Sequence, residues 1–382
     1  MRVLVVGCGR MGSAAAEDLS NSLSPAEIVV ADRNPMAAKD VVRRIGKGNL
    51  SWMQLDATKK EMLVDALKNF DLALGFLPPK LGFHLMEACI QAGKSLVDVS
   101  YMPENPLTLH EKAMEANVII VPSCGLAPGI SNLLVGHAVV NLDKAEKVHI
   151  LVGGLPEKPV PPLGYVITWS PESLIEEYTS KARIVQNGRI TEVEALTGLE
   201  MVEFPKIGVL EAFYTDGLKT LLYTVRNVDE MWEKTLRYPG HAEKIRLLKD
   251  LGFFGIEEIT VNGVKLQPRH FTARLLEKQL SKPDVRDVVA LKVEVSGYKK
   301  GRKMGYIYTL VDFYDEKSGA TAMARTTAYT ASIVAKLILE RKMGLRGVVP
   351  PERLGMDNEI YQHVISELSK RGIKISEETF VG

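Results

Sequence analysis

The chain has 382 residues, a length that suits two domains at roughly 100–200 residues each. Its 46% hydrophobic and 25% charged residues are an ordinary globular balance that excludes intrinsic disorder, and 31 Gly with 19 Pro exclude a collagen-like or low-complexity chain. Lys and Arg number 48 against 47 Asp and Glu, so a formal charge of +1 gives no overall pull toward nucleic acid or an anionic membrane.

The chain opens on RVLVV (Arg2–Val6), a short apolar run bounded by glycine, which predicts a buried parallel strand. A helix follows over Gly12–Leu23. The alternation then continues with a strand over Glu27–Ala31 and a helix over Pro35–Ile45. A strand over Leu50–Leu55 and a helix over Lys59–Leu67 come next, then a strand over Phe70–Phe76 and a helix over Leu81–Ala92. Ser95–Val99 is a strand, Leu107–Asn117 a helix and Val118–Val121 a sixth strand. Strands separated by helices build βαβ units, so residues 1–122 are expected to form an α/β Rossmann domain with a doubly wound parallel sheet.

After Pro122 the pattern changes. Ile130–Leu142 reads as helical, and the strands that follow are longer and alternate with polar residues. Val288–Tyr298 and Tyr306–Tyr314, around the turn KKGRKMG, predict a long antiparallel hairpin. Residues 123–321 are expected to form a second, α+β domain. The apolar helical stretch 322–342 is expected to complete the first domain by covering its sheet, with 343–382 packing on it as well.

Residues 7–12 read GCGRMG, a G-x-G-x-x-G placed between a strand and a helix, and Asp32 ends the next strand 20 positions after Gly12. That context makes the turn a dinucleotide fingerprint. Gly7 permits the tight turn, Gly9 lets the backbone approach a pyrophosphate, and Gly12 lets the helix pack on the strand. Arg10 and Met11 flank the phosphates at the positive end of the helix. A carboxylate at Asp32 accepts hydrogen bonds from a ribose 2′-OH and repels a 2′-phosphate, so NAD is the expected cofactor. Arg33 keeps NADP open, since it either binds that phosphate or stacks on adenine. Asp56, beside Ala57, either contacts adenine or only caps a helix. Leu77, Pro78, Ser100 and Tyr101 leave the carboxyl ends of strands, where ligands bind in such sheets. Gly125, in SCGLAPGISN after the sixth strand, is expected to shape the nicotinamide face.

The second half carries three further clusters. EAFYTDG holds Glu211, Thr215 and Asp216; LRYPGHAEK holds Arg237, Tyr238 and His241; ARTTAYT holds Arg325 and several hydroxyls. His241 is the first candidate general base, because an unperturbed imidazole titrates near neutrality, with Asp216 and Glu211 next. Arg237 is the best-placed fork for a substrate carboxylate, with Tyr238, Thr215 and Tyr165 as further pocket candidates. The bland alternatives are a solvated arginine, a capping histidine and hydroxyls that only cap a helix.

The cysteines, Cys8, Cys89 and Cys124, are odd in number and far apart, with no C-x-x-C, which suits a reducing compartment and no disulfide framework. No histidine pair has metal-ligand spacing, so no metal is expected. No apolar run reaches the roughly 18 residues of a membrane span, and the amino terminus enters a strand pattern directly, so a soluble cytoplasmic protein is expected.

GCGRMG, CGLAPGISN, LEAFYTDGLKTL, TLRYPGHAEKIRLL and MARTTAYTASIVAKLI together resemble the saccharopine dehydrogenase family over nearly the whole length. The resemblance implies a first domain that binds NAD(P) and a second that holds an amino-acid substrate and mediates subunit contact, hence a homodimer or larger homo-oligomer. It implies NAD-dependent oxidative deamination of the ε-amine of L-lysine to the cyclising semialdehyde, with release of ammonia and NADH. A saccharopine-type reductase joining an amino acid to a carbonyl through an imine is the alternative. A non-catalytic nicotinamide sensor is the third, against which the charged clusters speak.

Overall fold

In the computed structural model, residues 1–23, 26–167, 170–282 and 286–382 are described, and the chain divides into two compact units. The first comprises Met1–Asn141 and Ala324–Ile373; the second comprises Leu142–Met323 and Lys374–Gly382.

The first unit begins β1 (Arg2–Val6), α1 (Arg10–Ser22), β2 (Glu27–Asp32), α2 (Pro35–Ile45), β3 (Leu50–Gln54), α3 (Lys60–Leu67) and β4 (Leu72–Gly75). It continues α4 (Pro79–Ala92), β5 (Ser95–Asp98), α5 (His110–Glu115), β6 (Ile119–Val121) and α6 (Ile130–Val140). Before α5 the expected helix starts as a 3₁₀ turn, Pro106–Leu109. The central strands β4 and β6 are buried along their whole length and β1 and β5 from their second residue on, as in a sheet covered on both faces, while the edge strand β3 alternates; Leu4, Val29, Ala73, Leu96 and Ile120 lie in one buried cluster.

The second unit runs β7 (Lys144–Pro156), α7 (Pro171–Thr179), β8 (Ala182–Gln186), β9 (Arg189–Val193), β10 (Glu200–Phe204), β11 (Gly208–Tyr214), the single turn α8 (Leu221–Thr224) and β12 (Glu230–Arg237). Then come α9 (His241–Asp250), β13 (Ile259–Val261), β14 (Val264–Leu266), α10 (Pro268–Leu280), β15 (Asp287–Lys299) and β16 (Arg302–Phe313). The sheet is mixed: β10-β11-β12-β7-β15-β16 form its path, and β8 pairs with β12 and β9. The β15–β16 hairpin is longer than the sequence pattern suggested. Its turn is only Lys300-Gly301, both at positive φ, which matches a right-twisted two-residue connection, so KKGRKMG is mostly strand.

The chain then returns to the first unit with α11 (Ala322–Leu339), β17 (Gly347–Val348), α12 (Pro351–Gly355) and α13 (Asn358–Lys370), and ends in β18 (Ile375–Val381). Ala324 and Ala328 of α11 meet Ala14 and Ala15 of α1, and the small side chains let these two helices approach closely. The first sheet has the order β17-β6-β5-β4-β1-β2-β3 and is parallel throughout. Its seventh strand, β17, has two residues, too few to show a period. The expectation that all of 343–382 packs on the first sheet is corrected at its end: β18 pairs antiparallel with β16, where the strand edge offers a full register of partners. The fold is therefore α/β, a doubly wound Rossmann-like sheet plus a second, mixed-sheet unit. No helix among the described residues is long and apolar enough to cross a membrane.

Candidate functional site

Strand order reverses between β1 and β4, and the fingerprint lies at that switch point. Gly7 has φ +96, a conformation that favours glycine, and a Cβ there would run into the Phe76 carbonyl oxygen at the end of β4. A Cβ on Gly12 would overlap the Gly7 carbonyl oxygen, so this glycine seats α1 on the turn. Gly9 is different: nothing lies within 4 Å of its Cβ position, and it is exposed. Gly9 is also the N-cap of α1, and no side chain caps that end. An exposed helix start with uncapped N–H groups, an open space at Gly9, the exposed Arg10 and the half-buried Met11 fit a pyrophosphate.

Asp32 stands at the end of β2. Its Oδ2 accepts from the Cys8 N–H at 3.0 Å and the Cys8 thiol at 3.3 Å, and its Oδ1 from the Asn34 N–H at 2.9 Å. Arg33 is exposed next to it. Asp56 accepts from both the N–H and the hydroxyl of Thr58, and those bonds hold its carboxyl below the usual range; Ala57 is buried. Asp56 therefore stabilises the turn before α3, whose N-cap is Lys59.

At the neighbouring strand ends, Leu77 is half-buried and Pro78 is the exposed N-cap of α4. The Ser100 hydroxyl reaches the Leu77 carbonyl at 3.3 Å and Asp98 at 3.0 Å, while the Ser100 N–H donates to Asp98 at 2.8 Å. Asp98 is fully buried, and desolvation pushes its carboxyl up to about 7 despite those bonds. Tyr101 follows, half-buried. Gly125 is buried; a Cβ there would stand 3.1 Å from the Thr327 methyl, so its size sets how closely α11 lies.

The candidate residues of the second unit fall into a buried polar network on β11, β12, α7 and α9. Glu233, Thr235 and Arg237 alternate onto one face of β12. Arg237 donates to Glu177 at 2.9 Å, to the Tyr178 hydroxyl at 3.3 Å and to the Leu236 carbonyl at 2.9 Å, and its guanidinium lies over the Tyr165 ring at 4.5 Å. All three of its nitrogens are engaged within the chain, which corrects the expectation of an open fork for a substrate carboxylate. His241 is 1% exposed. Its Nδ1 lies 2.9 Å from the Leu163 carbonyl, which only accepts, so Nδ1 carries the proton and Nε2 accepts from the Tyr178 hydroxyl at 2.8 Å. Burial, then the charge of Arg237, lowers the imidazole to about 3. This corrects the reading of His241 as a base poised near neutrality.

Asp216 accepts from Arg183 at 2.7 Å and Lys219 at 3.2 Å; burial works against its charge, but these cations outweigh it and hold the carboxyl low. Such a carboxylate is a poor base. Glu211 accepts the Gly240 N–H at 2.8 Å and the Ala242 N–H at 2.5 Å, so it caps α9 and is removed from the list of bases. Thr215 and Thr235 share a hydroxyl bond of 2.9 Å. The Tyr238 hydroxyl donates to the carbonyls of Pro156 and Glu157.

Residues 3–121 match the saccharopine dehydrogenase NADP-binding domain, and residues 125–373 match the saccharopine dehydrogenase C-terminal domain. The chain belongs to the saccharopine dehydrogenase family. Membership places it among NAD(P)-binding oxidoreductases. Among relatives, saccharopine dehydrogenase [NADP(+), L-glutamate-forming] of Schizosaccharomyces pombe is 24% identical, over 98% of each chain. Carboxyaminopropylagmatine dehydrogenase of Synechocystis is 23% identical over 93% of each. Alpha-aminoadipic semialdehyde synthase of Arabidopsis thaliana is 25% identical over 98% of this chain, which spans only 44% of that longer protein. The structure of apo saccharopine dehydrogenase (L-Glu forming) from Saccharomyces cerevisiae superposes with TM-score 0.81 at 21% identity, covering 99% of both chains, a shared fold.

In this family member, sequence reasoning missed Glu177, Tyr178, Arg183, Lys219, Glu233 and Asp98. Glu233 was within reach, since it stands two positions from Thr235 and four from Arg237 on a strand of period two. Glu177 and Tyr178 sit on α7 with no motif around them, and only the packing of α7 against β12 brings them to Arg237.

Proposed function

We propose that the chain is an NAD-dependent amine dehydrogenase that oxidises the ε-amine of L-lysine, a lysine 6-dehydrogenase. The observation that carries the substrate reading is the charge pairing of the buried network. Its cations, Arg237, Arg183 and Lys219, are already held by Glu177 and Asp216, while Glu233 has no ion pair among the described residues. Saccharopine brings three carboxylates and would need open cations; lysine brings one carboxylate and an extra ammonium. The alignment to the Schizosaccharomyces pombe relative runs to 451 positions against 382 residues here, so that relative carries insertions that this chain lacks.

A bound nicotinamide supplies the hydride acceptor. The chain's part is to hold the dinucleotide at Gly7, Gly9 and Gly12, with Asp32 favouring an unphosphorylated ribose. It must also offset deprotonation of the ε-ammonium, which costs roughly 4–5 kcal/mol at pH 7 against a pKa of about 10.4. Water then cleaves the imine to the semialdehyde and ammonia.

The second reading, reversible saccharopine cleavage, is favoured by the activity for which the Schizosaccharomyces pombe relative is named. One assay separates the two: absorbance of the reduced cofactor with L-lysine and NAD, then with saccharopine, then in reverse with an amino acid and a carbonyl compound. Reduction with lysine alone is the expected result. Turnover only with saccharopine, or only in the reverse pairing, replaces the first reading by the second.

A further inference from the structure

Glu233 lies on the buried face of β12 with 4% exposure, and its Oε2 has no hydrogen-bond partner among the described residues. The other carboxylates of the network are matched: Glu177 with Arg237, and Asp216 with Arg183 and Lys219. Among the described residues Glu233 has no such cation. Space is kept for its carboxyl, since a Cβ on Gly217 would overlap Oε1. Native proteins seldom leave a buried carboxyl oxygen unbonded, so Oε2 calls for a partner such as a water, an ion or a ligand group.

We propose that Glu233 binds the ε-ammonium group of the amine substrate as an ion pair within the second unit. This rests on the reading of the chain as an amine dehydrogenase. Burial, then repulsion from Glu177, raises the Glu233 carboxyl to about 8, with Lys219 opposing and Asp216 adding to the rise. At pH 7 the carboxyl is therefore protonated in the free chain, and an arriving ammonium ionises it. Binding then expels a proton, which gives the proposal a readout independent of turnover.

The test is calorimetric titration of the full chain with L-lysine in the presence of NADH, at pH 7, in buffers of low and high ionisation enthalpy. Close to one proton is released per lysine bound at pH 7 and little at pH 9, where Glu233 is already ionised. L-norleucine, the same skeleton without the ε-amine, releases none. Glu233→Gln binds lysine at least about tenfold more weakly, releases no proton, and binds norleucine as before. Gly217→Ala, which displaces the carboxyl without removing it, gives the same lysine-specific loss.

A Glu233→Gln chain that keeps both the lysine affinity and the proton release overturns the proposal. So does one that loses lysine and norleucine alike, because that outcome marks a structural role only. If the wild-type chain neither binds nor oxidises lysine, the dehydrogenase reading itself falls and takes this assignment with it. If wild type oxidises lysine and Glu233→Gln behaves identically, only this assignment falls.

Discussion

The backbone N–H and the thiol of Cys8 both meet Oδ2 of Asp32, at 3.0 and 3.3 Å. Burial, reinforced by that carboxylate, pushes the thiol up to about 12, so Cys8 stays protonated and acts as a donor. The pair orients the carboxylate beside the fingerprint turn. Replacing Asp32 with Ser is expected to weaken NADH by about 1.5–3 kcal/mol, the worth of hydrogen bonds to a charged group, and to strengthen NADPH by removing repulsion. Fluorescence titration with both nucleotides measures this; unchanged NADH affinity refutes the role of Asp32.

Gly9→Ala and Gly12→Ala separate ligand space from packing space. The Cβ at 9 meets nothing in the chain, so its melting temperature stays at the wild-type value while NADH affinity falls at least about tenfold. The Cβ at 12 strikes the Gly7 carbonyl oxygen, so melting temperature and affinity fall together. Thermal melts with and without NADH decide it, and a Gly9→Ala chain with full affinity contradicts the placement of the pyrophosphate.

Glu211→Ala uncaps α9 and leaves the N–H groups of Gly240 and Ala242 without their acceptor. The expected loss is about 1.5–3 kcal/mol of stability in urea unfolding, with NADH affinity unchanged. A variant as stable as wild type is incompatible with the capping role.

Glu233 makes stability pH-dependent. Its folded-state carboxyl, at about 8, lies above the ordinary 4.5, so the folded chain holds the proton more tightly than the unfolded one. This contribution is complete below pH 4.5 and fades as pH rises through about 8. Glu233→Gln therefore gains melting temperature relative to wild type as pH goes from 5 to 9. A difference that stays flat over that range counts against a buried, proton-bearing Glu233.

His241 is expected to remain neutral from pH 5 to 8, since burial and Arg237 lower it to about 3. Its ring resonances, assigned by comparison with His241→Gln, should show no titration in that window. A midpoint near pH 6.5 restores it as a candidate base.

The strands and helices of residues 1–121 were legible in the local sequence, whereas residues 123–141, expected in the second domain, belong to the first unit. GCGRMG with Asp32 at the next strand end marked the candidate cofactor turn, because the tight turn, helix start and carboxylate all lie within one contiguous βαβ unit. The two-residue strand β17 and the pairing of β18 with β16 escaped it, since a short strand has no period and pairing between residues 65 or more positions apart depends on which edge is open. The second unit's chemistry was the tertiary structure's to decide. His241, Glu211, Asp216 and Arg237 are reactive types in suggestive order, yet each is engaged by a partner brought in by folding: Tyr178, the start of α9, Arg183 and Glu177. Whether a side chain acts on a ligand or on its neighbours depends on desolvation and on which opposite charge stands beside it. Neither quantity is a property of the residues along the chain.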